Sequence, residues 1–241
     1  MYKNYLFDLY GTLADIHTDE WNDDFWAEIA EYYTKKGAKY TAKELRKNYD
    51  RLCEAEKNVI SESHPEYKYI DIKIEKVFAG LYEDKGLKCS ESLALKTATF
   101  FRTTSREYIR LYDGIAQLLD DLKKKGANIY LLTNAQRSFT WDELGILGIR
   151  NKFDGIVISS DEGCCKPDSA FFNVMLNRYK LNPSETIMVG NDPTADILGA
   201  VGVGLDSLYI HTNISPELTE KPQSTYCIMD GDTLKMRDFL L

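Results

Sequence analysis

Two kinds of hydrophobic pattern divide the chain. Short apolar runs bounded by turn-forming residues predict strands that are buried on both faces. These runs lie at residues 5–7, 129–132, 155–159, 186–190, 207–210 and 226–229. From residue 108 onward they alternate with helical patterns, such as the apolar face of Ile115, Leu118, Leu119 and Leu122. This alternation predicts an α/β fold with a doubly wound, Rossmann-like parallel sheet.

A long helical block interrupts this alternation after the first strand. Apolar residues recur there at helical spacing and predict four helices. Their faces include Trp21 to Tyr33, Leu45 to Val59, Ile70 to Leu81, and Leu93 to Tyr108, the last helix being capped by Ser90. Residues 15–20 are predicted to be a polar link. We therefore expect an inserted all-helical cap domain at residues 16–107 and an α/β core domain formed by residues 1–15 and 108–241.

Composition narrows the functional classes. The 241 residues carry a net charge of −8, which argues against nucleic acid or an anionic membrane as partner, because both attract a basic surface. The five cysteines are odd in number and lack metal-ligand spacing, which favours reduced thiols. No signal peptide and no apolar run of membrane-spanning length is evident. We expect a cytoplasmic protein, either a monomer or a weak homodimer.

Polar residues stand at the predicted carboxyl ends of several strands. Asp8 follows the first strand, Thr133 and Asn134 follow the second, and Asn191 and Asp192 follow the fourth. Lys166 lies in the loop after the third strand, and Asp196 lies in the helix after the fourth. Each residue alone has a structural explanation, as a turn former, helix cap or solvated side chain. Together they converge on one crevice, because ligands of open α/β sheets bind beyond the carboxyl ends of the strands.

The residue types suit covalent transfer through an aspartyl intermediate. Asp8 provides a carboxylate nucleophile, Lys166 a fixed cation, and Thr133 a hydrogen-bond donor for developing charge. Neighbouring carboxylates repel one another unless a cation neutralises them. Magnesium is the hard cation that bridges a few carboxylate oxygens, waters and a phosphate group.

These motifs, in this order, resemble the haloacid dehalogenase (HAD) superfamily. Asp-Leu-Tyr-Gly-Thr at residues 8–12 is similar to its first motif, and Leu-Thr-Asn at 132–134 to its second. Lys-Pro at 166–167 is similar to the third motif, and residues 189–196 to the fourth. The resemblance covers the whole chain, and the helical block stands where the superfamily inserts its mobile cap.

The resemblance implies a role for each motif residue. Asp8 would be the nucleophile, and the backbone carbonyl of Tyr10 would bind magnesium together with Asp8 and an acidic residue of the fourth motif. We therefore expect catalytic roles for Asp8, Tyr10, Thr133 and Lys166, substrate binding by Thr133, Asn134 and Lys166, and magnesium ligands among Asp8, Tyr10, Asn191, Asp192 and Asp196.

Two residues depart from the pattern of the family's phosphatases. Tyr10 occupies the position of a second aspartate that protonates the leaving group, and tyrosine there resembles the 2-haloacid dehalogenases. A phenol has an ordinary pKa near 10, so it is a poor base at neutral pH. Asn191 occupies the position of the first acidic residue of the fourth motif. Asp192 and Asp196 could compensate for it, and Asp192 is the preferred ligand.

Three functions follow from these residues. The first is magnesium-dependent hydrolysis of a small phosphorylated metabolite through an aspartyl-phosphate on Asp8, which the acidic fourth motif favours. The second is a metal-independent 2-haloacid dehalogenase-like hydrolase, favoured by Tyr10 and by cap arginines such as Arg46 and Arg51 that could hold a substrate carboxylate. The third is a weakly active or non-catalytic binder of a phosphorylated ligand.

Overall fold

The computed structural model describes residues 2–241, which contain a parallel sheet flanked by helices. The strands are β1 (Asn4–Phe7), β2 (Ala14–Thr18), β3 (Arg106–Leu111), β4 (Asn128–Thr133), β5 (Gly155–Ile158), β6 (Thr186–Gly190), β7 (Asp206–Ile210) and β8 (Tyr226–Ile228). The helices are α1 (Asp23–Lys35), α2 (Ala42–Ser63), α3 (Ile74–Glu83), α4 (Glu91–Ser105), α5 (Ile115–Lys124), α6 (Arg137–Ile146), α7 (Ser159–Glu162), α8 (Ser169–Tyr179), α9 (Gly199–Gly202) and α10 (Met236–Leu240). A π-helical turn, Pro193–Leu198, precedes α9.

Six strands form one parallel sheet in the order β5-β4-β1-β6-β7-β8. Strand β1 lies inside it, with Phe7 opposite Leu131 of β4 and Val189 of β6. After β1 the chain forms β4 and β5 on one side of it and then β6, β7 and β8 on the other side. The strand order therefore reverses at β1, and ligands of such sheets bind beyond the carboxyl ends of the strands at this switch point. The predicted α/β class with a doubly wound parallel sheet is confirmed.

The sheet separates two hydrophobic clusters because successive side chains of a strand point to opposite faces. Tyr5 and Phe7 pack on one face with α5, α6 and α10, whereas Leu6 packs on the other face with α8 and α9. All three side chains are at most 1% exposed. Burial on both faces explains why β1 appears in the sequence as an uninterrupted apolar run.

The helical block has a hydrophobic cluster of its own. Phe25, Tyr33, Phe78 and Phe101 are central members of it, and all are at most 4% exposed. Three of its helices, α1, α2 and α4, begin at side-chain caps. The cap of α4 is Ser90, whose side chain accepts a hydrogen bond from the amide of Leu93 as the sequence predicted.

A two-stranded ribbon joins the helical block to the core and corrects the sequence prediction. Residues 15–20 were expected to be a polar link, yet Ala14–Thr18 pairs antiparallel with Arg106–Leu111 as β2 and β3. Helix α4 ends at Ser105, so Tyr108 lies in a strand and not on the helix face predicted for it. Strands β2 and β3 cross the predicted domain boundaries at residues 16 and 107. The division into a core domain and a cap domain at these residues remains a prediction.

Three smaller boundaries also differ from the expectation. Ile70 precedes α3 and forms an isolated bridge with Cys164. Ser159 begins α7 because β5 ends at Ile158. Pro167, expected in the first turn of a helix, stands before Asp168, which caps α8. Within residues 2–241, helices that combine the length and apolar character needed to cross a bilayer are absent.

Candidate active site

Asp8 follows β1 at the edge where the parallel strands end. Its backbone amide donates to the carbonyl of Val189 in β6 at 3.0 Å, and its side chain is 7% exposed. The chain then turns sharply at Gly11, where φ is +85°. A Cβ atom at Gly11 would lie 2.2 Å from Nδ2 of Asn191, so only glycine fits both the conformation and the space.

Lys166 binds two carboxylates at once. Its Nζ lies 2.7 Å from Oδ1 of Asp8 and 2.6 Å from Oδ1 of Asp196. Burial disfavours the charged lysine, but the charges of Asp196 and Asp8 outweigh this effect and raise the pKa of Lys166. Burial also raises the pKa of Asp196, opposed in part by Lys166. The structure thus brings Asp8, Lys166 and Asp196 into one buried ion cluster.

Asn134 fixes the backbone of the lysine. Its Oδ1 accepts a hydrogen bond from the Lys166 amide at 2.8 Å, and its Nδ2 donates to the Lys166 carbonyl at 2.9 Å. The amide side chain, expected to bind substrate, therefore spans the loop that carries Lys166. These two hydrogen bonds hold the main chain at the residue whose ammonium group reaches Asp8.

Thr133 ends β4 and is fully buried. Its Oγ1 has no hydrogen-bond partner among the described residues. Thr133 does not itself line the cavity beside Asp8, whereas the next residue, Asn134, does. A buried hydroxyl without a partner is costly, so Thr133 retains an unused donor one residue before a cavity-lining side chain.

The fourth-motif residues have different environments. Both oxygens of Asp196 are engaged, Oδ1 by Lys166 and Oδ2 by the amide of Asp192 at 2.9 Å. Oδ1 of Asp192 caps the following turn, accepting from the amides of Thr194 and Ala195 at 2.8 Å each. The second carboxylate oxygen of Asp192 takes no part in this cap.

Asn191 is nearly buried and cross-links two loops. Its Oδ1 accepts from Oγ1 of Thr12 at 3.2 Å, and its Nδ2 donates to Oγ of Ser215 at 3.3 Å. Asn191 thereby holds the turn after Asp8 against the loop after β7.

These residues enclose a cavity of about 220 Å³. It is lined by Asp8, Tyr10, Asn134, Lys166, Asn191, Asp192, Ala195, Asp196, Ile214 and Pro216. The cap arginines suggested by the sequence lie elsewhere: Arg46 stacks near Trp21 and Trp26, and Arg51 pairs with Asp84. Lys166 is the one cationic side chain among the residues that line this cavity.

A family model described as haloacid dehalogenase-like hydrolase matches residues 2–204. The chain belongs to this family. The match confirms the resemblance seen in the four motifs and makes the chain a HAD-like hydrolase.

Named relatives of this HAD-like hydrolase include phosphatases. Glyceraldehyde 3-phosphate phosphatase of Methanothermobacter thermautotrophicus is 30% identical over 165 residues, which are 68% of each chain. The matched share of other curated phosphatases is smaller, down to 45% of their length.

Solved structures share the fold over nearly the whole chain. The 2-haloacid dehalogenase of Pseudomonas syringae has a TM-score of 0.67 and 22% identity, covering 100% of this chain and 98% of that one. The putative HAD-hydrolase YfnB of Bacillus subtilis, solved bound to magnesium, has a TM-score of 0.57 and 21% identity, covering 99% and 98%.

In this HAD-like hydrolase the side chain of Tyr10 bonds to helix α6. Its hydroxyl donates to Oε2 of Glu143 at 2.5 Å and lies 3.0 Å from Oγ1 of Thr140. Burial, with the charge of Glu143, raises the pKa of Tyr10 above its ordinary value. The phenol therefore stays protonated, and its proton is donated in a hydrogen bond to Glu143.

Sequence reasoning missed Glu143, which is fully buried. It also binds Arg102 of α4 and Arg106, the first residue of β3: Nε of Arg102 lies 2.7 Å and Nη1 of Arg106 lies 2.9 Å from Oε1. A signal for it exists in the sequence, since Glu143 falls on the apolar helix face that includes Thr140 and Leu144. An acidic residue on a buried face is expected to have charged partners.

Whether these residues suit magnesium depends on their oxygen donors. Residues 2–241 contain no cluster of three or more His, Cys, Asp or Glu side chains suited to a metal ion. The cavity is nevertheless lined by three carboxylates, Asp8, Asp192 and Asp196, and by the amide of Asn191. The carbonyl of Tyr10 is also left free by the turn, whose amides at Thr12, Leu13 and Ala14 all donate to Leu9. A mixed set of oxygens fits a hard cation that keeps several waters.

Proposed function

We propose that this chain is a magnesium-dependent phosphatase that hydrolyses a small phosphorylated metabolite through an aspartyl-phosphate on Asp8. The observation that carries the proposal is the carboxylate of Asp8, held by Lys166 at 2.7 Å and facing a small cavity. The phosphatase relatives support the same reaction class.

Asp8 would act as the nucleophile. Because Lys166 binds Oδ1, Oδ2 is the oxygen proposed to attack phosphorus, and the bond between phosphorus and the ester oxygen breaks. The leaving oxygen takes up a proton. Water then attacks phosphorus, the bond to Asp8 breaks, and inorganic phosphate leaves. Lys166 and the unpaired hydroxyl of Thr133 are proposed to hydrogen-bond the transferred group.

Magnesium would neutralise charge shared between the phosphoryl group and the surrounding carboxylates. We propose Asp8, the carbonyl of Tyr10 and Asp192 as its protein ligands. Asp196 is a weaker candidate because both of its oxygens are engaged. Asn191 is also weaker because its amide already bonds to Thr12 and Ser215. The expected cytoplasmic location and the monomeric or weakly dimeric state belong to the same proposal.

Tyr10 gives the proposed phosphatase a preference among leaving groups. Its hydroxyl is bound to Glu143, so it supplies no proton to the leaving oxygen in this arrangement. General acid catalysis is worth about 10²–10⁴-fold, so alkyl phosphates should react far more slowly than aryl or acyl phosphates.

Rates on phenyl phosphate and on an alkyl phosphate, with magnesium and with a chelator, test the proposal. We expect magnesium-dependent turnover of phenyl phosphate that Asp8→Asn abolishes. Equal rates on both esters would show that another group supplies the proton, and turnover by Asp8→Asn would remove Asp8 as the nucleophile.

Calorimetry with magnesium tests the ligand assignment. Asp192→Asn should weaken binding about tenfold or more, because the cation loses a charged oxygen. Asparagine is as good a helix cap as aspartate, so the local fold should persist. Asp232→Asn, the same change at a cap that does not line the cavity, is the matched control. Equal affinity of wild type and Asp192→Asn would exclude Asp192 as a ligand.

A second candidate is the metal-independent 2-haloacid dehalogenase, which Tyr10 favours because a halide leaves without a proton. The absence of Arg46 and Arg51 from the cavity counts against it, since a haloacid carboxylate needs a cation besides Lys166. Halide release from a 2-haloacid without magnesium, and no turnover of any phosphate, would favour it. Phosphate binding without turnover would favour the non-catalytic ligand binder.

A further inference from the structure

One wall of the cavity beside Asp8 is apolar and comes from the loop after β7. Ile214 and Pro216 line the cavity there, together with mostly charged and amide side chains. None of the cavity-lining residues belongs to the helical block at 16–107. The apolar side chains that line this cavity therefore come from outside the helical block.

The loop is fastened to the turn that carries the nucleophile. Oγ1 of Thr212 donates to the carbonyl of Gly11 at 2.7 Å, and the Thr212 amide donates to Oγ of Ser215 at 2.9 Å. The same hydroxyl of Ser215 accepts from Nδ2 of Asn191 at 3.3 Å. Residues on both sides of Ile214 are thus held against the active-site turn.

Asn213 connects the same loop to the ribbon formed by β2 and β3. Its Nδ2 donates to Oδ1 of Asp15 at 2.9 Å, and its Oδ1 accepts from the hydroxyl of Tyr112 at 2.5 Å. Asp15 is 2% exposed and is also paired with Arg110. Because its neighbours Asn213 and Ser215 are both hydrogen-bonded to other parts of the core and ribbon, the fold holds Ile214 at the cavity.

Ile214 keeps 37% of its surface exposed beside the polar site. An isoleucine cannot hydrogen-bond, so it offers nothing to a charged or hydroxylated group. Covering it with an apolar group removes that surface from water, which is favourable in proportion to the area buried.

We propose that Ile214 is a specificity-determining residue that packs against an apolar part of the leaving group. The inference rests on the proposed phosphatase function and refines it. The preferred substrates are phosphate esters whose leaving group is uncharged and apolar next to the phosphorus, and a carboxylate or second phosphate at that position is disfavoured.

The ratio of kcat/KM for phenyl phosphate to that for acetyl phosphate tests this role. Both have good leaving groups, but the phenyl group has the larger apolar surface. Ile214→Ala and Ile214→Thr should lower the ratio by about tenfold, the effect typical of a lost apolar contact in a pocket. Ile146→Ala, at an isoleucine 59% exposed on α6, is the matched control and should leave the ratio unchanged. Because the comparison is a ratio, partial unfolding of a variant does not affect it.

Binding of two non-hydrolysable probes separates this inference from the proposed function. By calorimetry, Ile214→Ala should lose affinity for phenylphosphonate relative to methylphosphonate, about tenfold if the full apolar contact is lost. Unchanged ratios in both assays would overturn the role of Ile214 while the phosphatase proposal stands. A changed binding ratio without any turnover would support Ile214 and overturn the phosphatase. Failure of wild type to bind either phosphonate and to turn over either phosphate would overturn both.

Discussion

The contacts of Lys166 determine which carboxylate oxygens of the candidate site stay available to a substrate or a metal ion. Its single ammonium group contacts Asp8 and Asp196, and the second oxygen of Asp196 accepts a hydrogen bond from the amide of Asp192. Both oxygens of Asp196 are therefore engaged by protein groups, which makes it a weaker candidate than Asp192 for the proposed metal site. Asp8 keeps one oxygen free of the lysine, as a nucleophile requires.

Thr133→Val should separate stability from activity. Valine has nearly the same shape and removes a buried hydroxyl without a partner, so the free energy of unfolding should be unchanged or raised. If Thr133 hydrogen-bonds the phosphoryl group, kcat/KM on phenyl phosphate should fall roughly a hundredfold. Urea unfolding and steady-state kinetics measure the two effects.

Thr97→Val is the opposite control for this experiment. Thr97 is also buried, but its hydroxyl donates to the Leu93 carbonyl at 2.9 Å and lies 3.1 Å from the Tyr82 hydroxyl. It should lose about 1 kcal/mol of stability and keep full activity. Full activity of Thr133→Val would show that its hydroxyl makes no catalytic contact.

Helix α6 connects the active site to the cap at the level of secondary structure. At its start, Oε1 of Gln136 accepts from the amide of Ile74 at 3.0 Å. Further along, Glu143 binds Tyr10 of the nucleophile turn together with Arg102 and Arg106. The helix that follows the second motif thus touches both the cap and the residue two positions after Asp8.

Glu143→Gln should destabilise the protein by roughly 3 kcal/mol, because it leaves two arginine side chains without their buried carboxylate. The two arginine side chains are 13% and 15% exposed, so water replaces the lost partner poorly. Urea unfolding measures the loss. Glu44→Gln, whose carboxylate pairs with Lys85 on an open surface, is the control and should change stability little. Equal effects of the two changes would contradict the role of Glu143.

At the scale of the molecule, residues 68–74 fasten the helical block to the core. Oδ2 of Asp168 accepts from the amide of Lys68 at 2.6 Å, and the amide of Cys165 donates to the carbonyl of Tyr69 at 3.0 Å. Asp71 accepts from the hydroxyl of Ser159 and from Nε2 of Gln136. These contacts attach the cap to the loop that carries Lys166.

Asp71 should make stability depend on pH. Burial raises its pKa in the folded state, so the folded protein binds this proton more tightly than the unfolded chain. Its stabilising contribution is complete below the unfolded pKa, near 3.9, and is lost as pH rises through the raised value. Asp71→Asn cannot ionise and should gain stability relative to wild type as pH rises. Urea unfolding of both proteins from about pH 4 to about pH 8 measures this, and parallel curves would contradict it.

The sequence by itself determined the sheet and the position of the candidate active site. Apolar runs mark strands that are buried on both faces, and this signal is local. The residue after each run, such as Asp8, Thr133 or Asn191, then comes to the shared edge because parallel strands end together. The family and the fold follow from the same motifs, and the comparisons confirm both.

Only the tertiary structure decided how the polar side chains pair. The contact of Tyr10 with Glu143 joins residues 133 positions apart, and that of Thr212 with Gly11 joins residues 201 positions apart. Periodicity carries no information at such separations, because it reports which face of an element is buried and not what covers it. The sequence did not predict the ribbon for the same reason. Strands β2 and β3 are short and partly polar, and each is a strand because it pairs with the other. The whole helical block separates the two strands along the chain.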